Sequence, residues 1–178
     1  TCAIILEPLK HIVTAAHYNG KIPRNPFAMY HVDPDHKERE FLTLDELTAM
    51  TEMKLEDPNM AFARDLFLFG CWTGISFIDI KNLTEDNISM INGAPWIVSK
   101  RQKTGVPFQI KLMDIPMQII GRYKAFRKGS HLFNIGNLDS INKRIKKVAA
   151  MCGIKKRVSF HVSRHSWAVL ALEYGMPI

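Results

Sequence analysis

Apolar residues recur at helical spacing along most of the chain. Near the start, they lie three or four positions apart and predict a helix over residues 1–20 that ends at Gly20. Thr43 and Glu46 have the spacing of a capping box, which predicts the start of a second helix. Apolar spacing predicts further helices over 59–72, after Gly74, and over 115–128, 137–152 and 160–174.

The apolar spacing changes to two in the middle of the chain. Residues 88–91 and 96–99 flank Asn92-Gly93, a dipeptide typical of two-residue hairpin turns. Residues 106–112 then alternate apolar with polar positions, which predicts a third, half-buried strand. The predicted fold class is α+β and mostly helical, with a small three-stranded antiparallel sheet.

Prolines divide the chain near its start. Pro23, Pro26 and Pro34 fall within residues 21–35, and proline disrupts a helix interior. This stretch is therefore predicted to be a linker. We expect residues 1–30 to be the end of a helical domain plus linker, and residues 31–178 to form a second domain.

The net charge of +7 is unevenly distributed. Residues 1–99 contain 8 Lys and Arg against 14 Asp and Glu, whereas residues 100–164 contain 16 Lys and Arg against 2 Asp. Such a basic segment is typical of a surface that binds nucleic acid phosphates. The alternative is a solvated basic surface that only aids solubility. The candidates for phosphate contacts are Lys100, Lys143, Arg144, Lys146, Lys147, Lys155, Lys156 and Arg157.

Composition argues against several classes of protein. No apolar run reaches the length of a membrane span, and 47% hydrophobic residues can form a sizeable core. The three cysteines lack paired spacing, which argues against a disulfide scaffold and favours a reducing cytoplasm. The His and Cys positions fit no metal site, and no glycine-rich phosphate loop is present. We therefore expect neither a metal nor another cofactor.

The most informative segment runs from Phe160 to Ala168. His161 and Arg164 are three residues apart, so a helix would present both on one face. Both can donate hydrogen bonds to a phosphate oxygen, and arginine stays charged at physiological pH. Two alternatives remain open, namely a core histidine with satisfied hydrogen bonds and a structural ion pair between Arg164 and a carboxylate such as Asp79.

His161-x-x-Arg164-His165 resembles the second signature box of the tyrosine recombinases, also called phage integrases. Thr73-Gly74-Ile75-Ser76, Lys103 and the Leu42–Leu47 segment add to the resemblance in the family's order. The resemblance covers roughly residues 41–178, with a weaker part over residues 1–30. The local sequence around Cys71 to Leu83 is similar to that of a branch found on conjugative transposons. The resemblance implies the tyrosine recombinase catalytic fold, that of the DNA breaking-rejoining enzymes, with the end of a core-binding domain before it.

The resemblance implies site-specific DNA recombination that integrates a mobile element. A strand is cleaved and rejoined through a 3′-phosphotyrosine, without metal or nucleotide. His161 and Arg164 would stabilise charge on the phosphate oxygens. Lys103, at the predicted hairpin tip, would protonate the leaving 5′ oxygen, with Lys100 as the alternative for this role. Lys103 as an ordinary turn lysine also remains open, and His165 is assigned more to packing and hydrogen bonding.

The first signature box departs from the family's pattern. It usually reads Thr-Gly-x-Arg, but Ser76 stands where the arginine is expected, and a hydroxyl brings no charge. Asp79 matches the acidic position that follows. Either the protein is a degenerate, inactive relative, or another cation takes the role of the missing arginine. The similar transposon branch lacks this arginine and remains competent, so the resemblance favours activity. Arg101 and Arg64 are the candidates, and the sequence does not choose between them.

The tyrosines also depart from the pattern, because Tyr18, Tyr30, Tyr123 and Tyr174 do not match the position of the family's nucleophile. The chain is therefore interpreted as a fragment truncated before the nucleophile helix and inactive by itself. The full-length protein is expected to bind double-stranded DNA as a tetramer, and the fragment to be a monomer. We expect it in the bacterial cytoplasm, associated with the nucleoid and not with a membrane.

Two other functions remain open at this stage. One is a catalytically silent DNA-binding protein with a recombinase fold, which Ser76 would explain. The other is a basic helical module that binds protein or RNA. A recombinase requires a tyrosine encoded downstream of Ile178. A silent DNA-binding protein would bind duplex DNA without such a tyrosine, and an interaction module would bind duplex DNA weakly and without site preference.

Overall fold

The computed structural model of the protein describes residues 2–30, 39–127 and 129–176. The chain forms two compact units, residues 1–38 and 39–178. The predicted boundary between 30 and 31 stays a prediction because it adjoins residues 31–38, which lie outside the described part, as does Pro34. No described helix has the length and apolar character that a membrane crossing requires.

The first unit contains helix α1, Cys2–Tyr18, which confirms the helix predicted near the start of the chain. The following residues fold back on its end. The Asn25 side chain donates a hydrogen bond to Thr14 Oγ1 (3.1 Å), and His17 Nδ1 lies 3.2 Å from the Ile22 carbonyl oxygen. Local polar contacts thus stabilise the described part of this proline-containing segment.

The second unit is mostly helical, as predicted. Its helices are α2 (Leu44–Glu52), α3 (Pro58–Thr73), α4 (Phe77–Lys81), α5 (Asp114–Tyr123), α6 (Leu138–Met151) and α7 (Phe160–Glu173), with 3-10 turns at Glu85–Asn87 and Lys124–Phe126. The predicted capping box begins α2, because Thr43 Oγ1 accepts from Glu46 N–H (3.3 Å) and Glu46 Oε2 accepts from Thr43 N–H (2.8 Å).

The helix predicted over 115–128 is shorter than expected. Helix α5 ends at Tyr123, a 3-10 turn follows, and residue 128 lies outside the described part. The Arg127 guanidinium donates hydrogen bonds to the carbonyl oxygens of Ile120 (3.4 Å) and Leu132 (3.2 Å). A side chain from beyond the helix therefore satisfies a carbonyl near its C-terminus, which periodicity alone does not reveal.

The predicted sheet is confirmed, with strands β1 (Ile88–Ile91), β2 (Ala94–Lys100) and β3 (Pro107–Lys111) in antiparallel order β1-β2-β3. Asn92 (φ 51°) and Gly93 (φ 76°) connect β1 and β2, and both have the positive φ of a type I′ turn. Val106 is exposed and lies outside β3, so the third strand is shorter than the predicted 106–112.

Helix α3 is the centre of the second unit and packs against α2, α5, α6 and α7. Small residues allow the close approach of α7. A Cβ atom at Gly70 would lie 2.6 Å from Ser163 Oγ, and one at Gly74 would lie 2.6 Å from the Trp167 ring. Gly74 also ends α3 with φ 65°, which only glycine adopts readily. The glycine of Thr73-Gly74 thus serves both helix termination and the packing of α7.

Candidate active site

Helix α7 presents His161 and Arg164 near its N-terminus. The Phe160 N–H donates to Asn142 Oδ1 (2.8 Å), which joins the start of α7 to α6. Leu42 N–H donates to Ser166 Oγ (2.8 Å), so the segment before α2 is also held against α7. The N-terminus of a helix carries partial positive charge. Both predicted residues therefore lie where an anion is favoured.

Arg164 is half-buried, and its guanidinium has no hydrogen bond or ion pair with any residue that the structure describes. The proposed alternative, a structural pair with Asp79, is therefore not formed. Burial, and next the like charge of Arg101, lower the pKa of Arg164, while Asp79 acts in the opposite direction. A half-buried arginine without a partner is costly, so this position favours an anionic ligand.

Asp79 is buried and accepts hydrogen bonds from three residues. Ser76 Oγ donates to Oδ2 (2.6 Å), Arg101 donates to Oδ2 (3.4 Å), and the Gln102 backbone N–H donates to Oδ1 (2.9 Å). Ser76 also caps α4, because its Oγ accepts from the Asp79 N–H (3.4 Å). Asp79 therefore joins α4 to the turn between β2 and β3.

That turn carries Lys103 on its exposed surface. Arg101 N–H donates to the Val106 carbonyl and Gly105 N–H to the Arg101 carbonyl, each at 2.8 Å. Gly105 has φ 69°, so a glycine suits the position. The turn, α4 and α7 surround a cleft of ≈ 560 Å³, lined by Ser76, Ile78, Asp79, Arg101, Lys103, Thr104, Val106 and Arg164.

The structure separates the alternatives that the sequence left open. Arg101 lines the cleft, whereas Arg64 is buried in α3 and donates to Asp65 Oδ1 (2.8 Å) and the Met53 carbonyl (2.5 Å). Arg64 lies about 15 Å along the helix axis from Gly74. Gly74 stands two positions before Ser76, which lines the cleft. The suggestion that Arg64 replaces the missing arginine is therefore wrong. Lys103 lines the cleft, and exposed Lys100 is not among its lining residues.

His161 and His165 form a pair on the same face of α7, with ring centroids 4.7 Å apart in an edge-to-face arrangement. His161 is exposed and His165 half-buried, so His161 is not the core histidine of the alternative interpretation. Burial, and next the positive charges of His161, Arg39 and Arg164, lower the pKa of His165. His165 is therefore neutral at pH 7 and can accept as well as donate a hydrogen bond.

Stability is expected to fall as the pH drops from about 7.5 to 5.5, and His165→Asn is expected to weaken this dependence. The lowered pKa means that the unfolded chain, with a histidine pKa of about 6.5, binds the proton more readily than the folded protein. Urea unfolding of both proteins at several pH values in this window measures the effect. Parallel pH profiles for the two proteins would contradict the prediction.

The basic residues predicted to contact DNA phosphates differ in their surroundings. On α6, Lys143, Lys146 and Lys147 are exposed opposite the buried apolar face, while Arg144 donates to Ser140 Oγ (2.6 Å). Lys155 and Arg157 are exposed in the loop before α7. Lys156 is instead paired with Glu46 (2.6 Å) and lies over the Phe41 ring (5.4 Å). Its charge is compensated, which makes it the weakest of the phosphate-contact candidates.

The sequence analysis missed three polar residues that lie near the predicted site residues. Gln102 binds Asp79 through its backbone, and the Asn82 side chain donates a hydrogen bond to Gln102 Oε1. Arg39 lies close enough to lower the pKa of His165. No local sequence signal identifies these residues, because each contact joins elements that are distant in the chain. Among the described residues, no group of His, Cys, Asp and Glu could hold a metal ion.

Comparison with known proteins identifies the fold. Residues 40–178 match the sequence profile of the Phage integrase family. A search of curated proteins found no significant sequence match. Among solved structures, a λ integrase dimer bound to a COC′ core site is similar with a TM-score of 0.73 and 18% identity, covering 97% of this chain and 66% of that one.

Two further structures are similar. The Tn1549 transposon integrase in complex with circular intermediate DNA has a TM-score of 0.72 and 17% identity, covering 95% of this chain and 65% of that one. The structure of XerA recombinase has a TM-score of 0.62 and 20% identity, and the match covers 82% of this chain and 54% of that one. This chain thus spans between about half and two thirds of these relatives. The fold is that of the tyrosine recombinases, and the chain belongs to the phage integrase family.

Proposed function

We propose that this chain forms most of the catalytic domain of a site-specific DNA recombinase that cleaves and rejoins strands through a 3′-phosphotyrosine. The observation that carries the proposal is Arg164, a half-buried guanidinium without a partner in the described part of the chain, facing a cleft that Arg101 and Lys103 also line. Two arginines and one lysine suit the phosphate of a DNA backbone. The solved relatives bound to DNA support the same ligand.

The proposed roles follow from what each side chain can do. Arg164 and Arg101 bind the non-bridging phosphate oxygens and stabilise the charge that develops on them. His161 donates a further hydrogen bond to the phosphate, and His165 positions the His161 ring against which it packs. Lys103 protonates the leaving 5′ oxygen. Lys143, Lys146, Lys147, Lys155 and Arg157 bind phosphates beside the cleft, with Lys100 at the end of β2; such contacts position a protein without reading sequence.

None of the tyrosines in this chain is proposed as the nucleophile. Tyr18 is in α1, Tyr30 in the first unit, and Tyr174 directly follows α7. Tyr123 OH donates to Asp65 Oδ2 (2.8 Å), and burial followed by the Asp65 charge raises its pKa, which disfavours the phenolate. We propose instead that the nucleophile is a tyrosine outside residues 1–178. We further propose a tetrameric complex on DNA, integration of a mobile element, and a cytoplasmic, nucleoid-associated location.

The test uses the protein encoded by the complete gene and a nicked suicide duplex that carries the ends of its element. The expected result is a covalent protein–DNA adduct on a denaturing gel, lost in Arg164→Ala and retained in Lys54→Ala, which removes an exposed charge outside the cleft lining. Tight duplex binding without an adduct would instead indicate a catalytically silent DNA-binding protein. Weak binding without site preference would indicate a basic interaction module.

A further inference from the structure

Helix α4 holds the lysine-bearing turn at two points. Asp79 and Asn82 are three residues apart, so they lie on one face of the helix end. Asp79 Oδ1 accepts the backbone N–H of Gln102 (2.9 Å), and the Asn82 side-chain amide donates to Gln102 Oε1. The main chain of Gln102 is thus bound to α4, and its side chain is bound to Asn82, the C-cap residue of α4.

Lys103 directly follows the residue that is held. Its own side chain is exposed and makes no hydrogen bond or ion pair with the described residues. A lysine ammonium group moves on a flexible stem of four carbons. Where that group can reach therefore depends on how firmly its backbone is anchored. The hydrogen bonds within the turn fix its shape, and among the described residues the side-chain contacts of Asp79 and Asn82 join the turn to α4 and its C-cap.

We propose that Asn82 and Gln102 form a clasp that positions Lys103 for proton transfer to the leaving oxygen. The clasp is the pair of side chains joined by the Asn82–Gln102 hydrogen bond. This inference rests on the proposed function, because a positioned acid matters only if the strand is cleaved. Asn82 and Gln102 are positioning residues, and they act through Lys103 without touching the reacting phosphate.

The clasp predicts a modest and specific loss of rate. Asn82→Ala and Gln102→Ala are each expected to slow adduct formation about five- to tenfold, the factor that corresponds to roughly one net hydrogen bond. The double variant is expected to lose no more than either single variant, because both remove the same bond. Duplex affinity is expected to stay unchanged. Asn59→Ala and Gln118→Ala are matched controls, since both residues are exposed and lie outside the cleft lining.

A substrate with sulfur in place of the bridging 5′ oxygen distinguishes a loss of Lys103 positioning from a general disruption of the active site. A thiol has a pKa of about 8.5, so a sulfur leaving group departs without a proton donor. The deficits of Asn82→Ala, Gln102→Ala and Lys103→Ala are expected to disappear on this substrate. The deficit of Arg164→Ala is expected to persist, because Arg164 acts on the non-bridging oxygens.

Three results would overturn the clasp: cleavage of the oxygen substrate by Asn82→Ala at the wild-type rate, an equal deficit on both substrates, or additive losses in the double variant. A wild-type protein that forms no adduct on either substrate would overturn the proposed function itself. Hydrogen exchange then tests the clasp separately, without DNA. Faster exchange of the Gln102 amide in Asn82→Ala would support the clasp, and unchanged exchange would reject it.

Discussion

Arg101→Ala is expected to slow DNA cleavage by about 10²–10³-fold, the loss found when one preorganised donor to a developing oxyanion is removed. Ser76, at the position of the family's usual arginine, cannot supply the missing charge because its hydroxyl is neutral and already donates to Asp79. Arg101 lines the same cleft as Arg164, and its like charge contributes to the lowered pKa of Arg164. We therefore propose Arg101 for the second cationic role.

Arg101 is held in place by two contacts. Its guanidinium pairs with Asp79 (3.4 Å) and lies over the Phe108 ring (5.3 Å), while part of it stays exposed to the cleft. These contacts leave donors free, since a guanidinium has five N–H groups. Single-turnover cleavage of the suicide duplex measures the rate, and duplex affinity is measured in parallel to separate binding from chemistry.

Two further variants sharpen the test. Arg101→Lys keeps the charge but loses the planar fork, so an intermediate rate is expected. Ser76→Arg in the Arg101→Ala background is expected to restore part of the rate, because it returns an arginine to the family's usual position. Loss of the Ser76 cap costs this variant about 1 kcal/mol of stability. Wild-type cleavage by Arg101→Ala would show that Arg101 has no such role.

Asp65→Ala is expected to lower the free energy of unfolding by about 3–5 kcal/mol. The Asp65 carboxylate is 2% exposed and accepts from Arg64 Nε (2.8 Å), Arg122 and Tyr123 OH (2.8 Å). These donors belong to α3 and α5. Removing the carboxylate leaves the Arg64 guanidinium, which is 10% exposed, without its counter-ion in a buried place.

Urea unfolding measures this loss as a lower transition midpoint with an unchanged slope. Asp65→Asn keeps the size of the side chain but not its charge, so a smaller loss is expected. Asp45→Ala, on the exposed surface of α2, is the matched control, with an expected change below about 1 kcal/mol. An Asp65→Ala midpoint equal to that of the control would show that the network contributes little to stability.

The sequence by itself determined the local structure and the family. The capping box at Thr43 and the Asn92-Gly93 turn were predictable because each depends on residues that are neighbours in the chain. The spacing of His161 and Arg164 placed both on one helix face for the same reason. The end of α5 was not predictable, because Arg127 binds a carbonyl of α5 from beyond the helix.

Only the tertiary structure decided how the candidate site is assembled. Arg101 and Asp79 are separated by 22 positions, and packing of the β2–β3 turn against α4 brings them together. The same packing joins Asn82 to Gln102, and burial of α3 places Arg64 with Asp65 instead of in the cleft. Periodicity and short motifs report contacts within one element. Contacts between elements depend on how their surfaces fit, and that information is not local in the sequence.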